Sequence, residues 1–299
     1  IRHQCSWVHM HEPEAATKKA KDLVRMAVAK ARLIEPLPKF ELDVVPKGLV
    51  IGGGLAGIIA ALEIAKQGFE VYLVEKEAEL GGNLRKIHYM LGKEDPQAHL
   101  KDLIKEVEEN ELTHVLKHAT IEAIEGSVGN FKTRIKNGLG EVEIEHGITI
   151  VATGAQEYKP KEYLYGEDER VITQLELEEK LVKGVKAKNV VMIQCVGSRD
   201  GERPYCSRVC CQEAIKNALR IKELNEKTNV YILYRDIRTY GFKEEYYKKA
   251  RDAGIMFIRY EEDEKPVVTN NGKLRVSFLD LILKEKLIIE PDLLVLSAA

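Results

Sequence analysis

The chain has 299 residues, enough for two domains that each bury a hydrophobic core. With 46 basic and 48 acidic side chains its formal net charge is −2, which gives no reason to expect nucleic acid or an anionic membrane as a partner. Its five cysteines, in a sequence without a recognisable secretory leader, lead us to expect a reducing, cytoplasmic compartment. Residues 48–65 are apolar apart from Glu63, but clustered glycines favour a buried strand, turn and helix over a membrane span.

Residues 1–46 predict an N-terminal segment, one helix and a linker. Leu23, Ala27 and Ala31 recur at the spacing of one helical face, and Pro36 and Pro38 end the helix. The chain begins without methionine and stops in an apolar, strand-like run at 293–299. We therefore expect both ends to be cut from a longer protein.

Residues 47–157 predict a first α/β domain. A strand at 49–51, a helix at 55–67 and a strand at 70–75 form a compact unit, and Gly68 is suited to end the helix. A further amphipathic helix is expected at 95–110. Short alternating runs between 112 and 151, broken by glycines, predict a small antiparallel meander.

Residues 158–299 predict a second α/β domain. Strands are expected at 190–193, 230–234 and 255–258, with helices near 208–225 and 242–253. Because strands and helices alternate, a parallel sheet is favoured. Asn270-Asn-Gly272 lies between two apolar runs and predicts a hairpin.

A dinucleotide site is predicted at the first strand-to-helix turn. Gly52, Gly54 and Gly57 have G-x-G-x-x-G spacing there, and Glu75 ends the next strand. The glycines allow a tight turn, close approach of a pyrophosphate and close helix packing, while the helix N-terminus offers free N–H groups. Glu75 is placed to accept hydrogen bonds from ribose hydroxyls.

Two further segments resemble the two-dinucleotide-binding-domain flavoproteins of the glutathione and thioredoxin reductase superfamily. They are the Gly81-Gly82 pair after Glu75 and the apolar strand that ends in Ala-Thr153-Gly154. The resemblance implies an α/β fold of two Rossmann-like domains, and FAD as the cofactor. The cofactor contacts that we assign are Gly52, Gly53, Gly54, Leu55, Ala56, Gly57, Glu75, Lys76, Gly82, Asn83, Leu84, Ile121, Thr153 and Gly154.

Four cysteines stand where the second domain of that superfamily has another glycine-rich turn: Cys195, Cys206, Cys210 and Cys211. Two glycines of the fingerprint are missing there, as is a redox-active C-x-x-C, so neither nicotinamide binding nor thioredoxin reductase chemistry is expected. Buried structural thiols, a tetrahedral zinc site and an iron–sulfur cluster remain as interpretations. Irregular spacing, adjacent cysteines and a neighbouring flavin favour a [4Fe–4S] cluster.

Taken in order, these segments resemble the heterodisulfide reductase family of methanogens and related anaerobes, and within it the A subunit, which contains flavin and iron–sulfur clusters. The most specific segments are Ile-Arg-x-x-Cys-Ser-Trp-Val-His at 1–9, Cys-Val-Gly-Ser-Arg-Asp at 195–200, Tyr-Cys-Ser-Arg-Val-Cys-Cys at 205–211 and Tyr-Arg-Asp-Ile-Arg-Thr-Tyr-Gly at 234–241. The resemblance implies FAD, a [4Fe–4S] cluster on the four cysteines, and electron bifurcation to ferredoxin and a heterodisulfide. It also implies a multi-subunit complex with partners like subunits B and C, and a donor such as hydrogenase or formate dehydrogenase.

The same resemblance implies that residues 1–46 are the remnant of an upstream cluster domain, with Cys5 as its last ligand. The second half of the flavin domain is expected beyond residue 299. The chain passes directly through 137–140, where many family members carry an inserted ferredoxin module. No residue is assigned as acid, base or nucleophile, because the cofactors carry the chemistry. Two alternatives remain open: an NAD(P)H-dependent FAD disulfide or quinone reductase, and a zinc-bound scaffold without activity.

Overall fold

A computed structural model describes residues 1–39, 41–92, 94–138 and 140–298. Leu139, beside the position at which the sequence shows no inserted module, and Ala299, the last residue of the strand-like run, lie outside these ranges. The chain divides into two units, Ile1–Asp43 and Val44–Ala299.

The first unit is built on helix α1, Pro13–Ala31, which follows a π-helical turn at Arg2–Ser6. Pro13 occupies the first turn, where the missing proline N–H is harmless because first-turn N–H groups have no partner within a helix. Cys5 and Ala16 are buried. The helix predicted from the apolar spacing is therefore confirmed.

The second unit begins with a parallel sheet that is covered by helices on one face and by an antiparallel meander on the other. The sheet has the order β3-β2-β1-β7. Its strands are β1 Lys47–Ile51, β2 Glu70–Val74, β3 Thr113–Leu116 and β7 Ile148–Val151. Helices α2 Leu55–Lys66 and α3 Pro96–Glu109 belong to it, and the meander comprises β4 Thr120–Ser127, β5 Asn130–Asn137 and β6 Gly140–His146.

The burial of this sheet follows the alternation of side chains along its strands. Val50 packs with α2 and α3 on the helical face, whereas Leu49 packs toward Ile135 and Ile144 of the meander. Both faces of this sheet are therefore covered and shielded from water, as is typical of parallel sheets. The predicted strands, both helices and the meander are confirmed.

A second parallel sheet repeats this plan with the order β11-β10-β9-β15-β8. Its strands are β8 Val171–Thr173, β9 Asn189–Val196, β10 Asn229–Tyr234, β11 Met256–Arg259 and β15 Leu293–Ala298. The helices are α4 Gln174–Lys183, α5 Cys210–Leu224 and α6 Glu244–Asp252. An antiparallel sheet of β12 Val267–Asn270, β13 Leu274–Asp280 and β14 Glu285–Ile289 completes the unit.

The two faces of the second sheet are also filled. Val190 and Met192 of β9 pack with the helices, while Val191 and Ile193 pack with β13. The predicted hairpin is present, with Val268 paired to Val276. The α/β fold with two similar parallel sheets is confirmed, and the division at residues 157 and 158 stays a prediction.

None of the helices in the described part of the chain has the length and apolarity that a membrane crossing needs.

Candidate cofactor site

The glycine-rich turn between β1 and α2 has a backbone that side chains would disrupt. Gly52 has φ +109°, in the region that favours glycine, and its N–H donates to Val74 O at 2.8 Å. A Cβ on Gly57 would overlap the carbonyl oxygen of Gly52, so the helix can approach the strand only because residue 57 has no side chain. A Cβ on Gly54 would meet nothing within 4 Å, so the turn has an open side.

The open side of this turn is the N-terminus of α2. Gly54 is the N-cap residue and no side chain caps the helix. The first N–H groups of a helix have no partner within it, and they carry the positive end of the helix dipole. Leu55 and Ala56 are exposed there. This end of α2 is therefore suited to bind a phosphate group.

Glu75 fixes the shape of the turn from the neighbouring strand. Its side chain is buried, with Oε2 accepting from Gly53 N at 2.7 Å and Oε1 from Glu77 N at 2.8 Å. Each carboxylate oxygen has a further lone pair, so Glu75 can also accept from a ligand hydroxyl. The Lys76 side chain is more than half exposed, and its Nζ lies 3.9 Å from Glu77 Oε1.

Two other predicted segments lie against the turn. Gly81 N donates to Gly53 O at 2.7 Å, and a Cβ on Gly82 would lie 3.3 Å from Gly54 Cα. Asn83 Nδ2 donates to Ala155 O at 2.9 Å, which ties this segment to the end of β7, where Thr153 and Gly154 are exposed. The structure thus brings three of the predicted glycine-containing segments together, in an arrangement suited to a dinucleotide.

Two assigned contacts lie in partly buried positions nearby. Leu84 packs against the core between the first sheet and its helices, and Ile121 packs against the core under the meander. Their contact with a cofactor stays a prediction.

The second candidate site is the connection between β9 and α5. Cys195 lies at the end of β9, Cys206 in the loop, and Cys210 and Cys211 are the first residues of α5. None of these thiols is in a disulfide. The sequence predicted these cysteines on one strand-to-helix connection, and the structure confirms that connection.

The backbone of this connection is strained. Cys195, Arg199 and Arg208 have φ values of +62°, +58° and +64°. This region costs energy for residues other than glycine, and such residues cluster at functional sites. The pairing of β9 with β15 is also irregular beside Cys195, where the register shifts between Leu296 and Ala298.

Hydrogen-bond donors point at the sulfur atoms of this cysteine site. Arg199 Nη1 lies 3.8 Å from Cys195 Sγ, Arg208 N lies 3.4 Å from Cys206 Sγ, and Ser207 Oγ lies 3.3 Å from Cys210 Sγ. The fourth thiol, Cys211, instead donates to Asp236 O at 3.8 Å. Such donors can hydrogen-bond to a ligand sulfur, and three of the four cysteines have one.

The adjacent cysteines of α5 have opposite pKa shifts. A hydrogen bond from Cys211 is the main cause that lowers the pKa of Cys210 to about 6, despite burial, and the Ser207 hydroxyl adds to it. The same hydrogen bond raises the pKa of Cys211. Burial, together with the charge on Cys210, raises the pKa of Cys195. Of the two adjacent thiols, Cys210 is therefore the more acidic.

Across the described ranges, no three His, Cys, Asp or Glu side chains are arranged to hold a single metal ion.

The turn that follows β9 differs from an open phosphate-binding turn. Gly197 has Tyr158 packed against it, so that a Cβ would overlap the ring, and Arg203 lies over that ring at 4.1 Å.

Sequence reasoning assigned no role to two side chains beside the cysteines. Asp236 and Arg238 follow β10, which pairs with β9 in parallel, so the ends of the two strands meet. In the sequence, the segment 234–241 stands out only as part of a family likeness. Its place at the end of the next strand along the chain is the signal that could have indicated it.

The fold is that of the thioredoxin-reductase-like flavoproteins with two dinucleotide-binding domains. The family model described as FAD binding domain matches residues 48–196. Thioredoxin reductase from T. acidophilum aligns with a TM-score of 0.55 and 17% identity, covering 84% of this chain and 76% of that chain. Lactococcus lactis thioredoxin reductase in its FR conformation aligns with a TM-score of 0.56 at the same identity and coverage. At this identity the likeness shows the fold alone.

The chain is a homologue of the heterodisulfide reductase A subunit. It is 36% identical to the A subunit of the H(2):CoB-CoM heterodisulfide,ferredoxin reductase of Methanothermobacter thermautotrophicus over 356 residues, covering 87% of this chain and 54% of the relative. It is 33% identical to the iron-sulfur A subunit of the CoB--CoM heterodisulfide reductase of Methanocaldococcus jannaschii over 400 residues, covering 100% of this chain and 60% of the relative. The chain therefore spans little more than half the length of these relatives. Both alignments are longer than the 299 residues of this chain, so each relative has residues that this chain lacks.

Proposed function

We propose that this chain is an oxidoreductase component, an electron-transfer part of a heterodisulfide-reductase-type complex that binds FAD and a [4Fe–4S] cluster. FAD binding follows from the family match over residues 48–196. The observation that carries the cluster is the cysteine site: four free thiols at one connection, three of them facing hydrogen-bond donors. When bound, FAD exchanges two electrons and an iron–sulfur cluster exchanges one, so together they can link two-electron and one-electron partners.

The residues around the glycine-rich turn bind and orient FAD. The free N–H groups at the start of α2 hold the pyrophosphate, and Glu75 accepts from a ribose hydroxyl while it keeps the turn in place. Gly82 leaves room beside Gly54 for the cofactor, and Asn83 anchors this segment to Ala155. None of these side chains needs to act as an acid, a base or a nucleophile.

The chemistry of the cysteine site favours a cluster over zinc. Structural zinc sites favour two C-x2–4-C pairs, whereas here only the segment Cys206 to Cys211 has that spacing. Iron–sulfur clusters take thiolates at irregular spacing, adjacent cysteines included. Arg199, Arg208 and Ser207 supply the donors that stabilise thiolates.

The partners that we propose follow the names of the relatives. Those names include ferredoxin, a heterodisulfide and, for the Methanococcus maripaludis protein, H(2) or formate. We infer a complex with proteins like heterodisulfide reductase subunits B and C, fed by a hydrogenase or a formate dehydrogenase. Flavin-based bifurcation between ferredoxin and the heterodisulfide CoM-S-S-CoB belongs to the same proposal.

Metal and flavin analysis of the anaerobically purified chain tests this proposal. We expect FAD, iron and acid-labile sulfide in the wild-type protein, and an electron paramagnetic resonance signal of a reduced cluster after dithionite treatment. Cys210→Ala should lose the iron and keep the FAD, because Cys210 lies outside the glycine-rich turn. Cys5→Ala is the matched control, since Cys5 belongs to the other unit of the chain and should leave this signal unchanged.

Two outcomes would contradict the proposal. Zinc without labile sulfide would indicate the scaffold without activity. Rapid reduction of the FAD by NAD(P)H alone would favour a pyridine-nucleotide-dependent disulfide or quinone reductase, although the ring of Tyr158 on Gly197 occupies the turn where such a nucleotide would bind in the second domain.

A further inference from the structure

Two arginines and one aspartate form a connected group beside the cysteine site. Arg199 Nη1 contacts Cys195 Sγ at 3.8 Å and also donates to Asp236 Oδ1. The other oxygen of this carboxylate accepts from Arg238 Nη2 at 3.2 Å. The hydrogen bond to Asp236 is the main cause that raises the pKa of Arg238, and an interaction with the Cys206 side chain adds to it. One carboxylate thus joins two guanidinium groups that face two different cysteines.

Arg199 is held in this position by its own backbone. Its N–H donates to Tyr205 O at 3.1 Å, and its carbonyl accepts from Arg235 Nη1 at 2.7 Å. Its side chain is only 18% exposed. The backbone of Arg199 is thus held on both sides, and its side chain is shielded from water. Its guanidinium therefore acts on Cys195 with less screening than a surface charge would.

The sign of this effect follows from the charges. Hydrogen bonds and positive charge near ligand sulfurs favour the more reduced, more negative state of an iron–sulfur cluster, and so raise its reduction potential. Asp236 works in the opposite direction, because its charge offsets that of both arginines. We propose, on the basis of the cluster proposed above, that Arg199 raises the reduction potential of the group held by the cysteines through its charge beside Cys195. Asp236 limits this effect.

Reduction potentials of two variants with opposite charge changes test this inference. In an anaerobic redox titration followed by electron paramagnetic resonance, Arg199→Gln should shift the midpoint potential of the cluster to a more negative value. Asp236→Asn should shift it to a more positive value, because the amide keeps a hydrogen-bonding group but removes the negative charge. Arg199→Lys keeps the charge and should recover part of the wild-type potential.

Arg203→Gln is the matched control. Arg203 lies in the same loop, but its guanidinium stacks on Tyr158, so its removal should leave the potential close to that of the wild type. A purely structural role for Arg199 and Asp236 predicts loss of iron from both variants, or shifts of the same sign in both, and either result overturns the inference. If Arg199→Gln cannot hold the cluster, an unchanged potential in Asp236→Asn is sufficient to reject it. Absence of iron and labile sulfide from the wild-type protein would instead reject the proposed function, and this inference with it.

Discussion

The Glu75 carboxylate has a structural role in the protein, in addition to the contact with a cofactor that we propose for it. Both of its carboxylate oxygens accept backbone N–H groups, from Gly53 on one side and Glu77 on the other. Removing a partner of a buried hydrogen bond leaves a polar group without compensation, which usually costs more than the bond contributes. The shape of the cofactor turn and the stability of the first sheet therefore depend on the same side chain.

We predict that Glu75→Gln lowers the free energy of unfolding by about 1–3 kcal/mol and weakens retention of FAD, because one amide N–H₂ then faces a backbone donor. Chemical denaturation of the flavin-free protein and the flavin content after gel filtration measure the two effects. Glu77→Gln is the control, since the Glu77 side chain is 67% exposed. Equal behaviour of the two variants would contradict the role assigned to Glu75.

His146, the last residue of β6 in the meander, is fully buried. Its Nδ1 lies 2.9 Å from Ile148 O and its Nε2 2.7 Å from Thr133 Oγ1. Because the carbonyl oxygen of Ile148 can only accept a hydrogen bond, the ring proton is assigned to Nδ1. Nε2 then accepts from the Thr133 hydroxyl. Burial lowers the pKa of His146 below its usual value, so the folded protein holds this ring neutral.

The pH dependence of stability follows from that shift. Below about pH 6.5 the unfolded chain binds a proton on this histidine that the folded chain resists, so acidification favours unfolding. We predict that His146→Gln loses less stability than the wild type between about pH 7.5 and about pH 5.5. Denaturant titrations at both pH values measure this difference, and the other titrating groups are common to both proteins. Parallel losses in the two proteins would refute it.

At the scale of elements, a buried ion pair joins α4, α5 and the segment that follows the Gly81–Gly82 turn. Glu178 of α4 is 0% exposed; its Oε1 accepts from His88 N at 2.7 Å and its Oε2 from Lys216 Nζ at 2.6 Å. Tyr89 continues the contact, with its hydroxyl donating to Asn217 Oδ1 at 2.7 Å. The FAD-side segment is thus fastened to the helix that begins with Cys210 and Cys211.

We predict that Glu178→Gln lowers the free energy of unfolding by roughly 3–5 kcal/mol, because it leaves the Lys216 charge buried without a partner. The double variant Glu178→Gln, Lys216→Met should lose less than the sum of the single variants. A double-mutant cycle in denaturant measures the coupling. The exposed pair Glu63 and Lys66 is the comparison, and Glu63→Gln should change stability by less than about 1 kcal/mol. Additive effects at Glu178 and Lys216 would show that the pair is not coupled.

For the molecule as a whole, local patterns predicted most of the elements but missed α4. The buried positions of this helix are Gln174, Leu177, Glu178 and Leu181, so two of its four core-facing side chains are polar. An apolar stripe reduced to two leucines gives almost no helical signal. The polar side chains can be buried because they form hydrogen bonds with residues from distant segments of the chain. A local sequence pattern does not indicate such partners.

The two candidate sites also differ in how far the sequence predicts them. The glycine-rich turn was predictable because all of its glycines and Glu75 lie within one strand-helix-strand unit. The four cysteines were predictable from their spacing, but Asp236 was not, because it lies beside the cysteine site only through the pairing of β10 with β9. Three-dimensional neighbours that come from separate strands need the sheet order, which the sequence alone did not give.

The position of β15 has a consequence for how the chain is made on the ribosome. β15 lies between β9 and β8 and pairs with both of them. The first sheet can assemble once β7 has emerged, at residue 151. The second sheet must wait for residues 293–298, and until then β8 and β9 present unpaired edges. During synthesis the half that contains the glycine-rich turn can therefore be folded while the cysteine-bearing half is still incomplete, an interval in which the second half depends on protection from aggregation.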